Sequence, residues 1–317
     1  MSKIFAVLLT VFFLPASAGA IDKIKVATAD ASAAQITHPL AQKRGFYKEE
    51  GIHAEVIFMR GNVPLAALVN GDIDYIGNMN QGVRGVLAGL PFKVLASYTR
   101  STFTLVARSE IKSAKELKGK RLAVGTPGGG PDVLGRMILQ HFGLDFEKEI
   151  QLVRAGSNEP RVAILKQGLA DATIVLPPWD FHVQKMGFIV LARAHELFAF
   201  PAEGLIAHTK KIKDRPDEVK RVIKAGIKAN RYIRENRDGT IQFLMEWLRT
   251  NREIATAIYE SVSKSFSDDG CLPEEALRLV VEENKKATKL DREVSLSDVA
   301  DLSILREAQR ELGIKGK

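Results

Sequence analysis

Residues 67–77 read ALVNGDIDYIG, and residues 164–174 read ILKQGLADATI. Set one beneath the other, Gly71 falls on Gly168 and Asp74 on Asp171. In each copy an apolar helical stretch is stopped by a glycine, the residue that takes a left-handed backbone without strain. In each, an aspartate then stands just before a short apolar run of strand-like composition. A helix that ends in glycine and leads into a buried strand is the recurring unit of α/β proteins. The pair therefore predicts two related lobes, although a shared βαβ grammar alone also produces such a match.

Working outward from the first copy, short apolar runs alternate with amphipathic stretches from residue 22 onward. Strands are expected at Ile24 to Thr28, His53 to Met59, Ile73 to Gly77 and Phe92 to Thr99. Helices are expected at Gln35 to Arg44, Asn62 to Val69 and Gln81 to Ala88, stopped by Gly45, Gly71 and Gly89. Around the second copy the same reading gives strands at Arg121 to Val124, Ile150 to Val153 and Ala172 to Leu176. Helices run between them at Pro131 to Phe142 and Val162 to Gln167. This alternation predicts an α/β chain in which each lobe is a mainly parallel sheet flanked by helices.

After Glu203 the pattern changes. Gly204 to Ala207 reads as a last strand, and the remainder is helical: Pro216 to Arg234, Thr240 to Leu248, Glu253 to Lys264, Pro273 to Thr288 and Leu302 to Leu312. These helices have no sheet of their own, so their apolar faces must pack on a lobe, and the first lobe is expected.

The ends and the composition bound the rest. Lys3, the apolar run Ile4 to Leu14 and the small residues Ala18-Gly19-Ala20 read as an export signal cleaved after Ala20. The run is shorter than the roughly 20 residues that span a bilayer. With 45% hydrophobic and 26% charged residues the chain has the composition of an ordinary globular protein. Cys271 is the only cysteine, which excludes an internal disulfide and a cysteine-based metal site. The formal charge of +8 is spread along the C-terminal helices among acidic residues and without interleaved aromatics, the pattern of a solvated helix face and not of a nucleic-acid surface.

Five segments in register carry a resemblance. They are LAQKRGFYKEEGIHAEVIF, LAALVNGDIDYIGN, SAKELKGKRLAVGTPGG, ILKQGLADATIVLPPW and RPDEVKRVIKAGIKANRYIREN. Together, from about Ile24 to Asn236, they resemble the nitrate, sulfonate, taurine and thiamine-precursor binding proteins of ABC importers. The resemblance implies a type II periplasmic-binding fold, with residues 21–103 and 204–317 forming one lobe and residues 104–203 the other. It implies crossovers near Arg100 to Leu105 and Phe200 to Leu205, hinge closure on a small solute, a membrane permease as partner, a periplasmic location and a monomer.

In open α/β sheets the ligand crevice lies beyond the carboxyl ends of the strands. Asp30, Ser32 and Gln35 follow the first strand there, as helix caps or ligand contacts. Asn78, Asn80 and Gln81 follow the third, where capping by one Asn competes with ligand contact. Thr126, Gly128, Gly129, Gly130 and Asp132 stand where a glycine-rich turn opens a helix at Pro131, a place for an anion or a plain turn; the Asp132 carboxylate in the same first turn complicates the anion reading and leaves an amine open as its partner. Trp179 follows the last strand of the second lobe as a wall or as core, and Arg100 ends a strand beside the first crossover as an anion partner or an exposed side chain.

Enzyme chemistry is disfavoured. The six histidines are widely separated without HExxH spacing, and no GxSxG elbow, Walker loop or dinucleotide fingerprint occurs. The pyrimidine-precursor synthases related to the family are intracellular and carry a cysteine-rich motif that one Cys cannot supply. The expectation is a receptor for a small organic, anionic solute, without cofactor, metal or catalytic residues. A sensor built on the same fold is the alternative.

Overall fold

The computed structural model describes residues 21–29, 32–59, 62–127 and 129–315. The leader expected at residues 1–20, and Asp30 and Gly128 among the candidate contacts, lie outside the described residues. Among the described residues ten strands are formed: β1 (Asp22–Thr28), β2 (Ile52–Phe58), β3 (Tyr75–Asn78), β4 (Phe92–Arg100), β5 (Thr104–Ala107), β6 (Arg121–Val124), β7 (Gln151–Arg154), β8 (Ala172–Val175), β9 (Ile189–Arg193) and β10 (Pro201–His208).

They make two five-stranded sheets, in the orders β2-β1-β3-β10-β4 and β7-β6-β8-β5-β9. In the first sheet β1 pairs in parallel with β2 and β3, and β10 runs antiparallel to β3 and β4. In the second, β6 pairs in parallel with β7 and β8, and β5 runs antiparallel to β8 and β9. The two sheets thus share one topology, and each takes its reversed strand from the chain that has just crossed over from the other sheet. The expectation of two mainly parallel sheets flanked by helices holds.

The repeat that opened the sequence has a physical cause. The Lys25 N–H donates to Asp74 Oδ2 at 2.8 Å, and the Asp74 N–H donates to the Lys25 carbonyl at 3.0 Å. The Arg121 N–H donates to Asp171 Oδ2 at 2.9 Å, and the Asp171 N–H to the Arg121 carbonyl at 2.8 Å. Each aspartate therefore pins the start of the incoming strand to its parallel neighbour, at Lys25 in the middle of β1 and at Arg121, the first residue of β6. Gly71 and Gly168, at φ of 79° and 70°, turn the chain out of the preceding helix in a region closed to most side chains.

Burial follows the amphipathic patterns. One face of the first sheet, through Ile24, Val26, Leu95 and Leu205, packs against Leu40, Val222, Ile223, Ile258 and Leu305 of the surrounding helices. Its other face, through Ala27, Ile76, Val94 and Ile206, packs on the helix Met79–Leu87 and on Leu277 and Val280 of the helix Glu274–Thr288. The C-terminal helices thus lie on the first sheet, as expected.

Both crossovers are shorter than the sequence reading gave them, and β9 and the helix Trp179–Lys185 were not read from the sequence at all. The first crossover was expected at Arg100 to Leu105, yet Thr104–Ala107 is a fully buried strand between β8 and β9, leaving residues 101–103 as the connection. At four residues it is too short to show a periodicity of its own. Likewise β10 begins at Pro201, inside the second expected crossover, so residues 198–200 remain as the link. The two links run side by side, the Ser101 N–H donating to the Phe200 carbonyl at 2.8 Å.

Candidate functional site

A cleft of about 680 Å³ lies where the ends of both sheets meet the C-terminal helices. From the first sheet come Ser32 to Ala34, after β1, and Thr102 in the crossover. From the second come Asn158 and Glu159, at the start of the helix Asn158–Lys166, with Leu176, Pro177, Pro178, Trp179 and His182 after β8. Leu248, Arg249, Thr250, Ile254 and Ile258 close it from the C-terminal helices. The crevice rule for α/β sheets is met, since the loops after β1 and β8 both open onto it.

The expected contacts divide into three groups. Ser32 and Trp179 line this cleft. Asn80, Gly129 and Gly130 meet in a smaller pocket of about 90 Å³ with Arg84, Phe200 and Asn284, so the two glycine- and amide-rich turns do face each other. There Asn284 Nδ2 donates to Asn80 Oδ1 at 3.2 Å, and a side chain on Gly130 would fall 2.7 Å from the Phe103 ring.

The remaining expected residues are engaged locally. Gln35 Oε1 accepts the Ala29 N–H at 2.9 Å and ties the loop after β1 to itself. Asn78 Oδ1 accepts the Gln81 N–H at 3.0 Å, capping the helix Met79–Leu87. Asp132 is buried and takes Arg154 Nη1, which also donates to the Gly125 carbonyl at 3.1 Å and so braces the glycine-rich turn. Arg100 Nη2 donates to the Lys264 carbonyl at 2.8 Å, and Thr126 is exposed.

Four residues that the sequence reading passed over lie on the cleft lining or directly behind it. Arg249 borders it in a left-handed backbone conformation, φ 50°, its N–H donating to the Met245 carbonyl, and its side chain has no hydrogen-bond or ion-pair partner among the described residues. Such a conformation costs a non-glycine residue about 1–2 kcal/mol. Thr102 is 1% exposed, and its hydroxyl has no hydrogen-bond partner among the described residues. Asn158 Oδ1 accepts Arg161 Nη2 at 2.7 Å and the Leu176 N–H at 3.4 Å.

Arg161, the fourth, is 2% exposed and donates only to neutral oxygens: Asn158 Oδ1, the Gly156 carbonyl and, from Nε at 3.1 Å, the Ile174 carbonyl. Burial draws its pKa down to about 10, which still leaves it charged at neutral pH. Glu159, exposed, is the one carboxylate on the cleft lining among the described residues.

A separate depression of about 340 Å³, where β3 begins and β10 ends, is lined by Asp74, His208, Lys211 and Arg215. Its charges are already paired, Lys211 Nζ lying 2.8 Å from Asp74 Oδ1 and 2.7 Å from Glu218 Oε1. Among the described residues no three metal-ligating side chains cluster, and no helix is long and apolar enough to cross a membrane.

Known proteins share this architecture. The chain is 24% identical over 302 residues to YtlA of Bacillus subtilis (strain 168), named as a binding protein, covering 91% of this chain and 90% of the relative. It is also 24% identical over 332 residues to a protein of the same organism named as an aliphatic sulfonates-binding protein, covering 98% of each. The periplasmic sulfonate-binding protein SsuA from Methylobacillus flagellatus KT superposes with a TM-score of 0.78 at 17% identity, over 94% of this chain and 96% of that one. The periplasmic-binding fold expected from the sequence is therefore the fold of the chain. The model of the family described as NMT1/THI5 like matches residues 36–239, and the chain belongs to that family.

Proposed function

We propose that this chain is the solute-binding receptor of an ABC-type importer, exported to the periplasm, and that its cleft holds a small organic anion such as a sulfonate or carboxylate. The names of the relatives support the receptor reading. The observation that carries the ligand class is Arg249, a cation on the cleft lining that no carboxylate neutralises among the described residues. Trp179, Leu176, Leu248, Ile254 and Ile258 add apolar wall, which suits an alkyl or aryl group more than a bare inorganic ion.

In this reading residues 21–103 and 204–317 form one lobe and residues 104–203 the other, with hinges at residues 101–103 and 198–200. Contacts that a solute makes with both lobes at once shift the population toward the closed form, which is the form presented to the permease. The receptor acts as a monomer.

The test is a thermal-shift screen of alkanesulfonates, carboxylates, pyrimidines and nitrate on the purified protein. A ligand at about 100 times its Kd adds about 2.7 kcal/mol of stability. A shift with an organic anion supports the reading. A response to pyrimidines or nitrate alone refutes the ligand class, and silence from all four refutes the ligand assignment altogether.

A further inference from the structure

The cleft contains a second, hidden positive charge. Arg161 sits behind the lining, 2% exposed, and none of its hydrogen-bond partners among the described residues is a carboxylate; it is held by Ile174, Gly156 and Asn158 oxygens. A buried guanidinium without a counterion is costly unless a negative charge arrives nearby. The side chain between it and the cleft is Asn158, whose Oδ1 is occupied by Arg161 and by the Leu176 N–H. That occupancy fixes the amide orientation, leaving the Asn158 NH2 group as the donor available to the cleft and polarising it through the charged hydrogen bond.

A second observation points to the same place independently. Thr102 reaches the cleft from the crossover, 1% exposed, with a hydroxyl that lacks any partner among the described residues. A buried hydroxyl left unpaired is destabilising, and a ligand oxygen would satisfy it. The helix Asn158–Lys166 also begins here, adding the positive end of its dipole.

We propose that Asn158 and Thr102 form the head-group subsite of the cleft, taking the oxyanion of the solute, with Arg161 as the positioning residue that orients Asn158 and supplies charge from behind. This rests on the receptor reading and narrows it: the solute carries a sulfonate- or carboxylate-type head that accepts at least two hydrogen bonds. Arg249 faces the same solute from the C-terminal side, and Glu159 sets a limit on how much negative charge the head can carry.

Calorimetric titration with 1-butanesulfonate, butyrate and butyltrimethylammonium tests it on the purified protein and its variants. The wild type binds one or both anions and not the cation. Asn158→Asp places a carboxylate against the head and weakens anion binding about 100-fold or more. The same change gives Arg161 a counterion, so the melting temperature stays level or rises; a merely structural Asn158 would lose stability and affinity together. Thr102→Val weakens binding by about tenfold, and Arg161→Lys retains more affinity than Arg161→Met. Should Arg161→Met fail to fold, the Asn158 and Thr102 variants decide. Anion binding that survives Asn158→Asp and Thr102→Val within error, while still falling in Arg249→Gln, overturns the subsite and leaves the receptor reading standing. A wild type that binds only the cation, or none of the three, overturns the subsite and the anionic ligand class together.

Discussion

Ser261 Oγ donates to Asp180 Oδ2 at 2.7 Å, joining the helix Arg252–Val262 to the helix Trp179–Lys185 that follows β8. Asp180 is 2% exposed and also takes Arg193 Nη1 at 2.7 Å, and the same Nη1 donates to Ser261 Oγ at 2.8 Å. An ion pair of the second sheet is thus closed by a hydroxyl from helices that pack on the first. In the proposed hinge motion, separating the lobes removes that hydroxyl and wets the pair.

Ser261→Ala should therefore favour opening. A hydrogen bond to a charged group contributes about 1.5–3 kcal/mol, so solute affinity should fall by about tenfold or more. Calorimetry gives the Kd, and small-angle scattering gives the radius of gyration with and without solute. An unchanged Kd would remove the contact from the closing equilibrium.

Glu159 gives a test of solute charge. If the bound head is purely anionic, Glu159→Gln removes a like charge from the lining and tightens binding, by about two- to fivefold for an exposed group. A solute that also carries an ammonium group would bind more weakly to the same variant. The sign of the change in Kd separates the two.

Much of the fold was legible because its punctuation is local. Gly71 and Gly168 end helices, Asp74 and Asp171 brace strand starts, and both rules act within a few residues. The site was less so. Ser32 and Trp179 follow strand ends and reach the cleft, as the crevice rule predicts. Arg161 was missed because the helix was read from Val162, four residues late. Pro160 stands in its first turn, where proline is tolerated. Read from Asn158, Arg161 falls four residues before Leu165 on the buried stripe, where a charge is conspicuous. Arg249 and Thr102 had no such signal: one owes its place to a left-handed turn, the other to a crossover, and both are set by the tertiary fold.

His38 makes stability depend on acid. Burial pulls its imidazole from 6.5 down to about 4, against the opposing hydrogen bond to the Gly204 carbonyl, while Tyr47 OH lies 2.7 Å from the other ring nitrogen. The folded state resists the proton that the unfolded chain accepts. Its contribution is therefore fully present above about pH 6.5 and is lost as pH falls toward about 4, on the order of 3 kcal/mol in all. Urea unfolding at pH 7.5, 6.0 and 4.5 should show a shallower acid loss in His38→Gln than in wild type. Equal slopes would dismiss His38 as the cause.

Gly226 and Tyr98 fix how closely the helix Pro216–Glu235 lies on β4. A methyl group at Gly226 would stand 2.4 Å from Tyr98 Cζ, so Gly226→Ala should cost about 2 kcal/mol even after the helix-propensity gain. The Tyr98 hydroxyl is buried with no hydrogen-bond partner among the described residues, so Tyr98→Phe should raise stability by about 1 kcal/mol. Both changes are read from urea midpoints, and a stabilised Gly226→Ala would contradict the packing described.

The chain has two tryptophans, Trp179 in the cleft and Trp247, which stacks on Phe243 at 5.8 Å outside its lining. Replacing Trp247 with Phe leaves Trp179 as the single fluorescent reporter of the site. Titrating 1-butanesulfonate into that variant should change its emission saturably, with the same Kd that calorimetry gives. A solute that binds by calorimetry while Trp179 emission stays constant would place the ligand elsewhere and contradict the assignment of this cleft.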